Sequence, residues 1–358
     1  MNQDHYPSAR PLLSVRRLCV RLRQRSLLLK AARGDVRVIE NLDLDLQPGE
    51  ALGVIGESGC GKSTLARVIC GLQEATSGSI RFADQELARA ENSVWAAQRR
   101  HIQLIGPDSL QDLRPRAVLG RVLAATLKTL CPELGNTACD QHVPVLLSRV
   151  GLLPEDAVRM LKSLSPAELR RLAIARALAA RPQLLIYDEP AVMLAEDSER
   201  QQIVDLLARL HREDGLAMLV MTQQPALVRH LCDRVMALYL GRVMEQGECD
   251  SVFQAPAHPY TRAVLATPPT LETSKRGEHR TRLLLEGERP NPAQAPIGCV
   301  FHPRCPMAEA ACVREVPHLH RTGTTSRHYA ACLFAPQPQK YTAAAPTQST
   351  ATGSAPAL

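Results

Sequence analysis

The sequence predicts an α/β fold in which a parallel sheet feeds a phosphate loop, with an antiparallel β subdomain, a helical insertion and a small C-terminal cysteine-rich domain. Three observations carry this prediction. Gly56-Glu57-Ser58-Gly59-Cys60-Gly61-Lys62-Ser63-Thr64 fits G-x-x-x-x-G-K-[ST] between an apolar run, Ala51 to Ile55, and a helix-like stretch, Leu65 to Leu72. A second apolar run, Leu184-Leu185-Ile186-Tyr187, ends in the acids Asp188 and Glu189. From Asp197 to Leu240 helical and strand patterns alternate, which specifies a parallel sheet.

Before the phosphate loop, apolar and polar residues alternate in Val36-Arg37-Val38-Ile39 and Leu42-Asp43-Leu44-Asp45-Leu46, as in antiparallel strands. Gln47-Pro48-Gly49-Glu50 turns into the loop's strand. Ser79 to Phe82 reads as a strand, and Gln98 to Ile105 leads into another short apolar run. Residues 113–165 have helical spacing with Pro and Gly breaks, and form the insertion. Leu164 to Leu178 reads as an amphipathic helix with Ser165 as its cap and Pro166 at its first position. Strand Gln183 to Glu189, helix Asp197 to His211, strand Leu216 to Met221, helix Ala226 to Leu231 and strand Arg234 to Leu240 complete the domain over 12–266. A linker rich in Pro, Thr and charge, Thr267 to Arg282, opens the C-terminal domain, 267–334, and the Pro, Thr, Ser and Ala composition of 335–358 reads as disordered.

The chemistry follows from these residue types. Glycines let the backbone curl around an anion, so successive N–H groups and the helix N-terminus face a phosphate while Lys62 adds a point charge. Ser63 and Asp188 are placed to hold Mg²⁺, and Glu189 to orient or deprotonate an attacking water. A chance lysine in a glycine-rich turn would not explain the fixed positions and both flanks together. The expected ligand is a nucleotide with Mg²⁺.

Composition narrows the alternatives. With 358 residues, 45% hydrophobic, the chain can bury a substantial core. Aromatics are 3%, which leaves no stacking platform and disfavours nucleic acid as a partner. The net charge of +7 is spread over many arginines and is compatible with a position beside an anionic membrane surface. No apolar stretch approaches the ~20 residues that span a bilayer, and Met1 to Pro11 is polar, so a cytosolic location is expected.

The motifs together resemble the ATP-binding subunits of ABC transporters, from roughly Leu12 to Leu333. Tyr239 to Gly247, then His258-Pro259-Tyr260-Thr261-Arg262, then Gly298 to Pro306, resemble the dipeptide, oligopeptide and nickel importer branch. The resemblance implies a head-to-tail pair with a second ATP-binding subunit, each chain's ATP meeting the other's signature helix. It also implies two transmembrane permease subunits, a solute-binding protein acting through them, and a peripheral position on the cytoplasmic side of the plasma membrane.

Several motifs depart from that family. The signature LSGGQ stands as Leu164-Ser165-Pro166-Ala167-Glu168. Pro166 removes a backbone donor, Ala167 adds bulk and Glu168 is expected to set a negative charge near the partner's γ-phosphate. A lost hydrogen bond to a charged group is worth about 1.5–3 kcal/mol, so Pro166 alone weakens that contact about ten- to a hundredfold. Pro107 stands where the γ-phosphate-sensing glutamine is expected, with Gln111 nearby but out of register. Gln223 replaces the switch histidine; its amide is expected to hydrogen-bond phosphate without positive charge. The SALD loop reads Met193-Leu194-Ala195-Glu196, and the adenine-stacking aromatic aligns with Leu22. These departures lead to the expectation of a degenerate half in a heterodimer, with weak turnover at its own site. Two rivals stand beside it: a nucleotide-binding structural subunit that never hydrolyses ATP, and a soluble ATPase acting on nucleic acid or ribosomes.

Seven of the eleven cysteines are scattered, while Cys299, Cys305, Cys312 and Cys332 cluster. Four thiols without an export signal argue for a metal or cluster over disulfides. The wide gaps do not match C-x₂-C zinc knuckles, and iron-sulfur clusters accept varied spacing. Within the resembling family the pattern implies a 4Fe-4S site; zinc and unliganded thiols remain the alternatives. Cys60, at a helix N-terminus, reads as a small residue at a free loop position rather than a redox group.

Overall fold

In the computed structural model, residues 10–24, 33–189, 197–266, 288, 290–322 and 327–335 are described. The linker, the Met193–Glu196 loop and the tail beyond 335 lie outside these residues. Strands β1 (Leu13–Gln24) and β2 (Arg33–Leu46) form a long antiparallel pair, as the alternation predicts. A turn at Gly49 leads into β3 (Ala51–Ile55), and helix α1 (Lys62–Ile69) begins directly on the phosphate-loop lysine, earlier than the apolar pattern suggests. Then come β4 (Ser77–Phe82), β5 (Gln85–Glu86), α2 (Asn92–Gln98) and β6 (Ile102–Ile105). The insertion holds α3 (Leu119–Leu130) and α4 (Asn136–Arg149) followed by two short 3₁₀ turns. Leu119, Leu123 and Leu127, four residues apart, put one face of α3 into the core. The β-α alternation resumes with α5 (Pro166–Leu178), β7 (Leu184–Asp188), α6 (Asp197–Asp214), β8 (Ala217–Thr222), α7 (Pro225–Leu231) and β9 (Arg234–Tyr239).

Strand β10 (Arg242–Glu248) was not foreseen from the sequence. Leu240 (φ 45°) and Gly241 (φ 75°) both take left-handed backbone and turn β9 back onto β10 as an antiparallel hairpin. Helices α8 (Cys249–Gln254) and α9 (Pro259–Ala266) follow, then α10 (Ala310–Arg314) and the short strands β11 (His320–Arg321) and β12 (Tyr329–Ala330). β12 pairs with β10 through Glu245↔Ala330, so the described C-terminal residues extend the main sheet.

Two sheets result. One is antiparallel, in order β2-β1-β4-β5; the other has eight strands in order β11-β12-β10-β9-β3-β8-β7-β6. From β9 to β6 the second sheet is parallel, and both of its faces are covered. Alternate residues divide between two cores: Leu185 and Tyr187 join the cluster that includes the insertion, Leu184 and Ile186 the cluster beneath the antiparallel sheet. Each fully buried aliphatic side chain there contributes about 1.5–3 kcal/mol. The registers Ile55↔Thr222 and Asp188↔Met221 bring the carboxyl ends of β3, β8 and β7 to one edge, where open parallel sheets form their sites.

Candidate nucleotide site

The phosphate loop is shaped by close packing as much as by glycine freedom. Gly61 caps α1 at φ 115°, a conformation closed to most residues, and a Cβ there would sit 2.8 Å from the Val38 carbonyl. At Gly56 a Cβ would sit 2.3 Å from the Leu238 carbonyl. Lys62 is buried, and its ammonium donates to Gly56 O (2.7 Å) and Glu57 O (3.1 Å), with Glu189 Oε1 at 3.9 Å. It is therefore already folded across the loop. Ser58 and Gly59 are exposed, while Ser63 and Thr64 are half-buried. Cys60 is buried, in keeping with its reading as a small packing residue.

Ser63 and Asp188 line one cleft of about 450 Å³, together with Gly106, Pro107 and Arg176. Asp188 is buried, and its Oδ1 has no hydrogen-bond partner among the described residues. The Ser63 hydroxyl and the Asp188 carboxylate, which line one cleft, are hard oxygen donors of the kind Mg²⁺ takes. The residues fit the ion.

Glu189 follows β7 in left-handed backbone, φ 55°, a strained conformation for a non-glycine residue. Its N–H donates to Met221 O at 2.8 Å. Its carboxylate accepts from Thr222 Oγ1 (3.1 Å) and from the Gln223 N–H (3.3 Å), and lies near Lys62. The surroundings thus aim the acid along the sheet edge. Gln223 meets Glu189 through its backbone, while its side chain is exposed.

The loop after β6 offers no substitute for the missing glutamine. Pro107 is exposed, and Gln111 donates its amide to the Asp108 carboxylate in the same loop. Ser109 Oγ closes the turn on Gly106, and Arg176 from α5 donates to Ser109 O at 2.7 Å. Arg170, from the same helix, reaches Gly106 O at 3.5 Å.

Two expectations about the signature segment are corrected. The Ala167 side chain is buried in the core, so its methyl does not crowd an approaching partner. Glu168 does not present a free negative charge. Its carboxylate turns back to accept from the Ser165 N–H (2.7 Å) and is gripped by Arg159 through both Nη1 (2.7 Å) and Nη2 (3.1 Å). Those Arg159 hydrogen bonds hold the Glu168 carboxyl below its usual pKa. Ser165 Oγ accepts from the Glu168 N–H, completing a capping box. Only Pro166 remains as a lost donor. Glu168→Gln, which keeps the box and removes a charge already matched, is expected to leave ATP turnover of the complex that the resemblance implies within about twofold. An uncompensated charge would instead give a gain of about tenfold, the effect of ~1.4 kcal/mol, in a steady-state assay. Ser165→Ala loses the cap and is expected to cost about 1 kcal/mol in chemical denaturation.

Leu22 lies exposed on β1, paired with Val36. Cys299, Cys305, Cys312 and Cys332 converge on one largely enclosed cavity, otherwise lined by residues such as Phe301, Met307 and Phe334. None of the eleven cysteines forms a disulfide. Burial pushes the Cys299 thiol up to about 11. No group of three or more His, Cys, Asp or Glu side chains among the described residues is arranged to hold a metal ion.

Sequence reasoning missed Thr222, Arg170 and Arg176, which act through partners distant in the chain, and Arg159, whose partner Glu168 lies nine residues on. It missed the role of Tyr260 and Arg304 as well, whose side chains reach Glu57 in the phosphate loop. No helix of the described residues is long and apolar enough to cross a membrane.

Comparison with known proteins agrees with this geometry. The ABC transporter family model matches residues 39–192, and the model for the C-terminal region of oligopeptide/dipeptide transporters matches 244–312. The chain is 40% identical over 298 residues to the oligopeptide transport ATP-binding protein OppF of Escherichia coli, covering 83% of this chain and 88% of that protein. It is 37% identical over 317 residues to AppF of Bacillus subtilis, likewise an oligopeptide transport ATP-binding protein, covering 86% and 92%. Among solved structures, cbiO1 of Clostridium perfringens, part of the ABC transporter complex cbiONQ, superimposes with a TM-score of 0.58 at 24% identity, over 68% of this chain and 91% of that one. The cassette MJ0796 bound to ADP and phosphate superimposes with a TM-score of 0.57 at 22% identity, over 66% and 98%. With its phosphate loop and Asp188–Glu189 pair on such a fold, the chain belongs to the ABC transporter family of ATPases, in the branch that carries the oligopeptide/dipeptide C-terminal region.

Proposed function

We propose that this chain is an ATP-binding subunit of a peptide importer and the degenerate half of a heterodimer, docked beneath two permease subunits on the cytoplasmic side of the membrane, with a solute-binding protein supplying them. The division into 12–266, 267–334 and a tail belongs to the same reading. The loop N–H groups and Lys62 bind the phosphates, and Glu189, held by Thr222 and the Gln223 N–H, orients or deprotonates the attacking water. Ser63 and Asp188 would hold Mg²⁺, which when bound neutralises charge on the phosphate oxygens. The residues of α5 transmit closure, because Arg176 ties the Pro107 loop to the signature helix.

The observation that carries the degenerate reading is the loop beside the Ser63–Asp188 cleft. It presents Pro107; Gln111 is tied to Asp108, and Gln103, the carboxamide that lines the cleft from β6, donates to Arg99 O. A missing preorganised contact of this kind costs about 10²–10³ in rate. The rival of a purely structural subunit draws on the same loop, while the well-held Glu189 opposes it. The isolated chain is expected to bind MgATP with turnover near background, and to co-purify from membranes with permeases and a second ATP-binding chain. Turnover by the isolated chain as fast as that of an undamaged relative would contradict the proposal.

The 4Fe-4S assignment belongs to this proposal on the donor set alone, four thiols lining one cavity with His258, His302 and apolar side chains, since the four are not arranged as a formed metal site among the described residues. Anaerobically purified protein is expected to contain iron and acid-labile sulfide. Their absence from such protein would count against the assignment.

A further inference from the structure

The phosphate loop is gripped from the C-terminal side by a set of buried contacts. Arg304 sits in the short turn His302–Arg304, between Cys299 and Cys305. Its guanidinium makes a two-pronged ion pair with the Glu57 carboxylate, Nη1 to Oε2 at 2.8 Å and Nη2 to Oε1 at 3.2 Å. The Arg304 side chain is only 5% exposed, so solvent screens this pair little. Nη1 also donates to the Tyr239 hydroxyl at 3.3 Å, and the guanidinium carbon stands 5.9 Å from the centre of the Tyr239 ring. From α9, the buried Tyr260 hydroxyl accepts the Glu57 N–H at 3.0 Å and donates to Leu238 O at 3.1 Å. Tyr239, Tyr260 and Phe301 stack between the loop and the cysteine turn, with ring centres 4.7–5.5 Å apart.

These contacts have two physical consequences for an anion-binding loop. Without Arg304 the Glu57 carboxylate would lose its two-pronged cation beside the site for phosphate, where like charge opposes binding. Without Tyr260 the first peptide of the loop would lose the acceptor that fixes its direction. The turn that carries Arg304 has no freedom of its own. Arg304 N–H bonds Phe301 O at 3.0 Å, Cys305 N–H bonds His302 O at 3.2 Å, and Cys299 N–H bonds Cys312 O at 2.8 Å. Whatever sets the packing of Cys299 and Cys305 in their cavity therefore sets where the guanidinium stands.

We propose that the cysteine turn is a working part of the nucleotide site: Arg304 and Tyr260 are positioning residues for the phosphate loop, so the packing of the cysteine-lined cavity tunes nucleotide affinity. This rests on the phosphate loop binding a nucleotide. The test measures the Kd for MgADP, by titration calorimetry on the full chain, for wild type, Arg304→Ala, Arg304→Lys, Tyr260→Phe and Cys305→Ser. MgADP separates binding from turnover. If wild type itself does not bind, the nucleotide reading fails rather than this inference.

Arg304→Ala is expected to raise the Kd about tenfold or more, because a charge-assisted two-pronged pair on the loop is lost. Arg304→Lys, which keeps the charge without the fork, should recover part of the loss. Tyr260→Phe, which keeps the ring and removes only the hydroxyl, should also raise the Kd. This variant decides the matter if Arg304→Ala does not fold. Cys305→Ser should shift the Kd in the same direction. A merely structural role would lower the melting temperature of Arg304→Ala and Tyr260→Phe and leave the Kd of both unchanged, which would overturn the proposal. A changed Kd in Arg304→Ala beside an unchanged one in Cys305→Ser would overturn the link to the cavity.

Discussion

Lys62→Ala is expected to weaken MgATP binding by about ten- to a hundredfold, since a hydrogen bond to a charged group is worth about 1.5–3 kcal/mol. The structure gives the effect its reason. The ammonium is already desolvated and held over the loop by Gly56 O and Glu57 O, so little ordering remains to be done when a phosphate arrives. Removing it deletes the loop's fixed point charge and leaves Glu189 without its nearest cation, at 3.9 Å. Titration calorimetry on the full chain measures the loss. A Kd within about threefold of wild type would mean that the backbone N–H groups alone carry the phosphate.

Asp188→Asn is expected to move stability and function in opposite directions. The wild-type carboxylate is buried, and one of its oxygens, Oδ1, has no hydrogen-bond partner among the described residues, which is costly for a charged group. The amide removes that charge, so the nucleotide-free protein should melt at a higher temperature. With the anionic oxygen gone, addition of magnesium should no longer tighten nucleotide binding by this chain. Thermal denaturation and binding titrations with and without a chelator check both halves. A lower melting temperature in the nucleotide-free protein would show that Asp188 serves the fold instead.

What was legible in the chain is what lies in contiguous segments. The phosphate loop, the strand ending in Asp188 and Glu189, and the Ser165 cap are each written within a few residues, because local backbone geometry and burial dictate them. The β-α alternation revealed the parallel strands in the same way. Side-chain pairings across long separations were hidden. Glu168 reads as a repulsive charge until Arg159, nine residues earlier, is seen to neutralise it. Thr222 beside Glu189 depends on the register of β7 on β8, and Arg304 on Glu57 joins residues 247 apart. Strands β11 and β12 are only two residues long, too short for any alternation to show. Edge addition of such strands follows from the β10 hairpin rather than from their own composition.

The central claim is that this chain's phosphate-loop site holds nucleotide while its partner's site drives transport. Glu189→Gln in this chain alone, within the assembled transporter, tests it most directly through ATP turnover and solute uptake. The Gln keeps an acceptor for the Thr222 hydroxyl and removes the charge that would activate water. The account predicts that turnover and uptake both persist near wild-type levels. Collapse of both would show that this site hydrolyses ATP despite Pro107 and Gln223, and would contradict the account.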